Sequence, residues 1–367
     1  MRAIIAGGGT AGHINPAISI ARQIKCMCAG SEILFIGTKR GLEAALVPES
    51  GFNIDFIRVR GFKRKLSLET LATIKELIAG FLQARRAIKK FRPDIVIGTG
   101  GYVCGPVLFA AAMMKIPTLI HEQNAFPGIT NRILSRFVDA VAVSFKESEA
   151  YFRNAERLIR SGNPVRPEII KAKRHASRQK LGYSEGKPLV VVVGGSLGAE
   201  KINDTVVKMI LKYYTGHDFY LLFATGKARY GKIMAQLEGI SHASLKVVPY
   251  INDAADVYSS ADLMVCRAGA ITCSELAVLG VPSIMIPSPN VVENHQEYNA
   301  RAFEKHGASV VVLEKDLDEK LLYNKIIELV YDKPRLDLMS KNAKKIGVAD
   351  AAEKICAAAL ELTGKKA

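Results

Sequence analysis

The chain has 367 residues, 49% of them hydrophobic, and 51 Lys plus Arg against 35 Asp plus Glu give a net charge of +16. This excludes a disordered or fibrous chain, predicts two globular domains, and favours anionic partners such as nucleic acid, acidic lipid or phosphate-bearing substrates. No nucleic-acid motif is present, Trp is absent, and the six cysteines (Cys26, Cys28, Cys104, Cys266, Cys273, Cys356) form no C-x-x-C pair. With no secretory pattern before the first strand and no apolar run long enough to span a bilayer, a cytoplasmic protein, soluble or peripheral, is expected.

Taken in order, strands are predicted at 3–6, 33–36, 54–59, 94–98, 118–121 and 140–143. A glycine loop at 7–12 precedes a helix from about Pro16, and a long helix covers about 67–90. The run Gly162, Asn163, Pro164, Val165, Arg166, Pro167 is the best linker, because two prolines and a glycine cannot continue either element. The pattern then restarts, with strands at 189–193, 219–223, 245–248, 263–266, 281–286 and 309–312 and a helix at 199–214. Three helices near 318–331, 334–345 and 349–362 follow. Strands alternating with helices predict parallel sheets of βαβ units, and the restart near 189 predicts two of them.

The stretch 263–296 reads strand, small-residue turn, helix, strand, loop. Arg267, Ala268, Gly269 and Ala270 are mostly small enough to let a ligand approach the backbone. Thr272 and Glu275 have capping-box spacing, which predicts a helix start at about Thr272 and leaves Glu275 open between cap and ligand. Gly7, Gly9 and Gly12 satisfy G-x-G-x-x-G, but Ile36 is followed by Gly37, Thr38, Lys39 and Arg40 instead of the acid a ribose needs. NAD is therefore disfavoured, and NADP stays open through a basic 2′-phosphate site. Glycine turns also follow apolar strands at 98–101, 194–198 and 268–270. Two in each half point to phosphate-bearing ligands at the carboxyl ends of two sheets.

These residues resemble the MurG family, bacterial transferases that add N-acetylglucosamine to undecaprenyl-pyrophosphoryl-N-acetylmuramyl-pentapeptide. The resemblance rests on Gly8, Gly9, Thr10, Ala11, Gly12, His13 and Pro16; on Gly100, Gly101, Tyr102, Val103, Gly105 and Pro106; and on His121 to Asn124 with Gly128, Thr130 and Asn131. Gly162 to Arg166 match its interdomain segment, and Gly194, Gly195, Ser196, Gly198 and Ala199 match the opening of its second domain. Arg267, Gly269, Ala270, Thr272, Ser274 and Glu275, then Asn294, His295 and Gln296, complete it. Ala11 stands where many members have Gly, Ala268 where many have Ser, and His295 where some have Gln.

The resemblance implies an α/β protein of the GT-B glycosyltransferase fold, two Rossmann-like domains facing across a cleft. An acceptor and membrane-facing domain would span 1–163 and a UDP-sugar domain 164–348, with the terminal helix of about 349–367 packing back on the first. It implies UDP-N-acetylglucosamine as donor and a polyprenyl-pyrophosphoryl acceptor, hence inverting conversion of lipid I to lipid II, the last intracellular step of peptidoglycan precursor synthesis. A diacylglycerol glycosyltransferase is the alternative of the same class. Glu275 would bind the ribose and the Ile251 backbone the uracil, while the Ala270 and Ile271 amides with Ser196 would hold the diphosphate, and Thr272 would also bind substrate. Arg166 would contact the donor, and Gln296 and Asn124 would read sugar hydroxyls. Thr10, Ala11 and Gly12 would also line the substrate site, and Gly9, Gly101, Tyr102 and Asn131 would take the acceptor pyrophosphate.

His13 is the candidate general base, since imidazole titrates near neutral pH and the residue ends a glycine loop; binding the acceptor pyrophosphate or ordering that loop is the alternative role. Asp316-Leu317-Asp318 is expected to cap a helix, and no essential metal or cofactor is expected. A lipid-anchored acceptor requires a visit to an anionic membrane surface, the cytoplasmic face of the bacterial plasma membrane. The long helix carries one apolar stripe of Leu71, Ile74, Ile78 and Phe81 and another of Leu77, Ala84, Ile88 and Phe91. The first, with Met113 and Met114, is expected to touch lipid, flanked by Lys63, Arg64, Lys65, Lys75, Arg85 and Arg86; the second is expected to face the sheet.

Overall fold

The computed structural model describes residues 1–60, 68–195 and 198–364, without the side chains of 68–74. Ser196, Lys63, Arg64 and Lys65 lie outside the described residues, as do the side chains of Leu71 and Ile74. The chain forms two compact units, Met1–Val165 with Ala349–Ala367, and Arg166–Val348.

The first unit is built on seven strands: β1 (Arg2–Ala6), β2 (Glu32–Gly37), β3 (Asn53–Phe56), β4 (Ile95–Gly98), β5 (Thr118–Glu122), β6 (Ala140–Val143) and β7 (Leu158–Arg160). They pair in the order β3-β2-β1-β4-β5-β6-β7, all parallel. Side chains of β1 alternate between faces, as strand geometry demands. Ala3 and Ile5 join a core under the helices Ala11–Met27 and Ala351–Thr363, while Ile4 and Ala6 join one under Leu68–Phe91 and Cys104–Met113.

The helix Ala351–Thr363 follows the whole second unit in sequence yet packs in the first unit's core. Ile355, Cys356, Ala358 and Ala359 lie buried among Ile14, Ile20 and Ile24. Burying Ile355 and Leu360 contributes roughly 3–6 kcal/mol.

The second unit has six strands: β8 (Leu189–Val193), β9 (Tyr220–Ala224), β10 (Leu245–Val248), β11 (Leu263–Cys266), β12 (Ser283–Met285) and β13 (Ser309–Val311). Their order is β10-β9-β8-β11-β12-β13, again all parallel. In each sheet the chain runs outward from one central strand, then jumps back to its other side, at β1/β4 and at β8/β11. Such switch points open a crevice beyond the strands' carboxyl ends. The loops after β1 and β4, and those after β8 and β11, are the four glycine turns singled out in the sequence.

Several boundaries differ from expectation. The first helix starts at Ala11, five residues before Pro16, which lies inside it. Proline's missing N–H removes one bond to Gly12 without ending the helix. Expected strand 281–286 shortens to Ser283–Met285, beginning after Pro282, which has no N–H to give. The helix expected at Thr272 starts at Ala270 with Gly269 as N-cap and no side-chain cap bond. Glu275 therefore does not cap its helix. Asp318 does: it caps Glu319–Tyr331, accepting from the Leu321 amide at 2.7 Å.

Candidate active site

In the first unit the carboxyl ends of β1, β4 and β5 bring together Gly9, Thr10, Ala11, Gly12, His13, Gly101, Tyr102 and Asn124. The loops after β1 and β4 interlock by backbone contact. Gly100 and Gly101 have φ of +107 and +84°, and a Cβ on them would lie 2.7 Å from the His13 ring and 2.3 Å from the Gly8 carbonyl oxygen. Only glycine satisfies both demands. The Gly8 amide donates to the Gly100 carbonyl at 3.3 Å.

No motif or spacing in the sequence marks Glu43. It opens the short helix Glu43–Glu49 beyond β2, and its carboxylate turns inward to complete burial. Its Oε2 accepts from the Gly9 amide at 3.1 Å, and Oε1 accepts from the Thr38 amide and hydroxyl at 2.9 and 2.8 Å. This acid is not a substitute ribose ligand, because it is sealed under the loop it braces. The Gly9 amide is therefore committed inward. The unpaired amides that begin a helix belong here to Ala11 and Gly12, both exposed. Tyr102 lies over Gly9, with its hydroxyl 3.5 Å from Thr38 Oγ1.

His13 is half-buried. Its Nδ1 lies 3.1 Å from the Thr99 carbonyl oxygen and 2.9 Å from Gln123 Oε1. Thr99 Oγ1 in turn donates to the His13 carbonyl at 2.9 Å. Beyond Gln123 lies His121, fully buried, whose pKa burial pulls down to about 4. The neighbouring Glu122 folds the loop after β5 around itself. Its Oε1 accepts from the amide and side chain of Asn124, and Oε2 from the Gly128 amide and Asn131 Nδ2. Asn131 is 2% exposed and also donates to the His121 carbonyl, so its amide fastens this loop from within rather than facing a ligand.

In the second unit the turn after β11 ends in Gly269, so Ala270 and Ile271 supply the first amides of the helix Ala270–Leu279. Thr272 follows on its first turn. Glu275 is 4% exposed, and its Oε1 accepts from Arg166 Nε at 2.8 Å. Burial raises its pKa and the Arg166 guanidinium opposes the rise. Arg267 shapes the same turn by donating to the Ile286 and Pro287 carbonyls at 3.1 and 3.2 Å and pairing with Glu314. Ile251 sits in the loop after β10. Gln296, at the start of the helix His295–Lys305, accepts from the Ser288 amide at 2.9 Å. Burial pushes the Cys104 and Cys266 thiols up to about 12, so neither is a nucleophile at neutral pH. Among the described residues no cluster of three His, Cys, Asp or Glu could hold a metal.

Residues 3–143 match the glycosyltransferase family 28 N-terminal domain, and residues 189–355 its C-terminal domain. A UDP-N-acetylglucosamine--N-acetylmuramyl-(pentapeptide) pyrophosphoryl-undecaprenol N-acetylglucosamine transferase of Acetivibrio thermocellus is 57% identical over 97% of this chain and 96% of its own. A protein of the same name from Ruminiclostridium cellulolyticum is 54% identical over 97% and 98%. The crystal structure of Acinetobacter baumannii MurG superposes with a TM-score of 0.81 at 28% identity, covering 100% of this chain and 99% of that one. Two parallel Rossmann-like sheets, glycine turns at both switch points and this full-length likeness lead to one assignment: the chain belongs to glycosyltransferase family 28 and, within it, to the MurG family.

Proposed function

We propose that the chain transfers N-acetylglucosamine from UDP-N-acetylglucosamine to the lipid-linked N-acetylmuramyl-pentapeptide, converting lipid I to lipid II. The observation that carries this is the 57% identity over 97% of the chain to a relative of that name. The second unit takes the donor. Glu275 binds the ribose hydroxyls, the Ile251 backbone the uracil edge, and the Ala270 and Ile271 amides with Thr272 and Ser196 the diphosphate. Gln296 has its carbonyl end fastened to Ser288 and offers its NH2 end to the sugar; Asn124 reads a further hydroxyl. The first unit takes the acceptor. Its pyrophosphate lies over Thr10 and the free amides of Ala11 and Gly12, with Tyr102 beside them, while Gly9, Gly101 and Asn131 shape the loops.

The acceptor hydroxyl oxygen attacks the anomeric carbon, and the bond from that carbon to the β-phosphate oxygen breaks. The hydroxyl proton passes to His13 and the bonding electron pair leaves with UDP. Arg166 and the helix amides stabilise the charge that develops on the leaving diphosphate. The direct test is transfer of labelled sugar to a polyprenyl-pyrophosphoryl acceptor, run with several nucleotide sugars and with EDTA. Transfer confined to UDP-N-acetylglucosamine is expected. Thermal stabilisation by NADP but not by UDP would instead support an oxidoreductase.

The first unit also docks on an anionic membrane. No helix among the described residues is long and apolar enough to cross one. Ile78 and Met113 are exposed, as the first stripe requires, and Ala84 and Ile88 are fully buried, as the second requires. Phe81 departs from expectation: its ring centroid lies 5.9 Å from that of Phe109, and both it and Met114 pack on the core. Leu82, 47% exposed, takes its place at the surface. Lys75, Arg85 and Arg86 lie exposed along the same helix, each worth about 1 kcal/mol near acidic headgroups.

A further inference from the structure

We propose that Gln123 and His121 are positioning residues that hold the His13 ring in a single tautomer, with hydrogen on Nδ1 and the proton-accepting lone pair on Nε2. The proposal rests on His13 being the general base and names the atom that does the work.

The direction of every bond in the chain follows from partners that can only accept. His121 is fully buried and, with a pKa near 4, neutral at physiological pH, so its ring carries one N–H. Its Nε2 lies 3.0 Å from the Gly162 carbonyl oxygen, a pure acceptor, and that nitrogen therefore carries the hydrogen. The serine hydroxyl 3.1 Å from the same nitrogen, Ser144, has two acceptors of its own, the Glu122 carbonyl and Asn163 Oδ1, both at 2.8 Å. His121 Nδ1 must then accept, and Gln123 Nε2 donates to it at 3.0 Å.

Gln123 cannot be turned over. The same Nε2 also lies 3.0 Å from the His121 carbonyl oxygen, and a flipped side chain would set two oxygens against each other there. Its Oε1 consequently faces His13. The Nδ1 of His13 meets two acceptors, Gln123 Oε1 and the Thr99 carbonyl, and has to be the N–H. Nε2 is left with the lone pair. A neutral amide orients the ring without adding charge, unlike the carboxylate of a protease triad, where the wrong tautomer costs about 10⁴ in rate.

The test uses the full chain and two independent readouts. The first is the ¹⁵N spectrum of the His13 ring, assigned by its loss in His13→Ala. The wild type should show Nδ1 protonated and Nε2 bare. In Gln123→Leu the Nε2–H form should become populated. The second is steady-state transfer: Gln123→Leu should lower kcat by about 10- to 100-fold, part of a general base's contribution, with both KM values unchanged. His121→Leu should lower kcat too, and His121→Asn, whose Oδ1 can accept where Nδ1 did, should recover most of it. A wild-type spectrum with hydrogen on Nε2, or Gln123→Leu at wild-type kcat, overturns the relay. If instead His13→Ala keeps kcat at saturating acceptor while the tautomer stands as described, the base assignment fails and the relay is structural.

Discussion

The pair Arg166–Glu275 is lopsided, and that makes its dissection informative. The Glu275 side chain is 5% exposed and the Arg166 side chain 51%, across 2.8 Å. Arg166→Ala strands a carboxylate that water barely reaches. Breaking a wholly buried pair costs roughly 3–5 kcal/mol, and the open Arg166 end reduces this to about 2 kcal/mol. Glu275→Gln strands only a guanidinium that water already solvates, so it should cost under about 1 kcal/mol. Combining both changes should recover about half the Arg166→Ala loss. The pH dependence has a definite sign. Glu275 has a folded pKa above its ordinary 4.5, and losing Arg166 raises it further. A raised carboxyl loses stability as pH rises, so the Arg166→Ala deficit should be largest at neutral pH and shrink towards pH 4.5. With Glu275 as the proposed ribose ligand, Glu275→Ala should forfeit a charge-assisted bond worth about 1.5–3 kcal/mol, a roughly 10- to 100-fold rise in donor KM. Denaturant midpoints at pH 5 and 7.5, with donor KM at saturating acceptor, read all of this. Equal destabilisation by either single change, with donor KM unmoved, would reduce the pair to a brace and refute the donor assignment.

Three further outcomes are expected. His13→Ala should lower kcat by about 100-fold or more with little change in donor affinity; a wild-type kcat at saturating acceptor would rule out His13 as base. The variant Ile78→Ser, Leu82→Ser, Met113→Ser should fold normally and lose co-sedimentation with acidic vesicles, which in the wild type weakens with salt; undiminished binding would move the docking face elsewhere. His121 binds its proton more readily unfolded, near pH 6.5, than folded, near 4. Stability should therefore fall by about 3 kcal/mol as pH drops from 6.5 to 4, and His121→Asn should flatten that interval in denaturant titrations.

The sheets were legible because apolar strands and glycine turns impose a local period, and β6, β8, β10 and β11 fall at their expected residues. Periodicity carries no information about strand order, which depends on which strands pair across long separations. Glu275 was half legible: its spacing from Thr272 imitated a cap, but the helix began one half-turn earlier and turned the carboxylate towards Arg166. Glu43 left no signal, because an acid after a basic turn looks solvent-facing until the chain doubles back beneath Gly9. Phe81 fell on the correct helix and the wrong side of the boundary between core and surface, which the neighbouring Phe109 decides. His121 and Gln123 were visible as members of a motif. Their roles depend on the register of β5 and on the Gly162 carbonyl, some forty residues away.

The helix Ala351–Thr363 also has a consequence for biogenesis. Translation is vectorial, and the residues that close the first unit's core emerge only after all of the second unit. Nascent chains ending near residue 348 should expose the groove beside Ile20 and Ile24 to chaperones and proteases, while their second unit is already protected. Protease resistance of both units in such stalled chains would show that the groove closes without this helix. If it does not, the ribosome completes the second unit before the first, the reverse of their order in the gene.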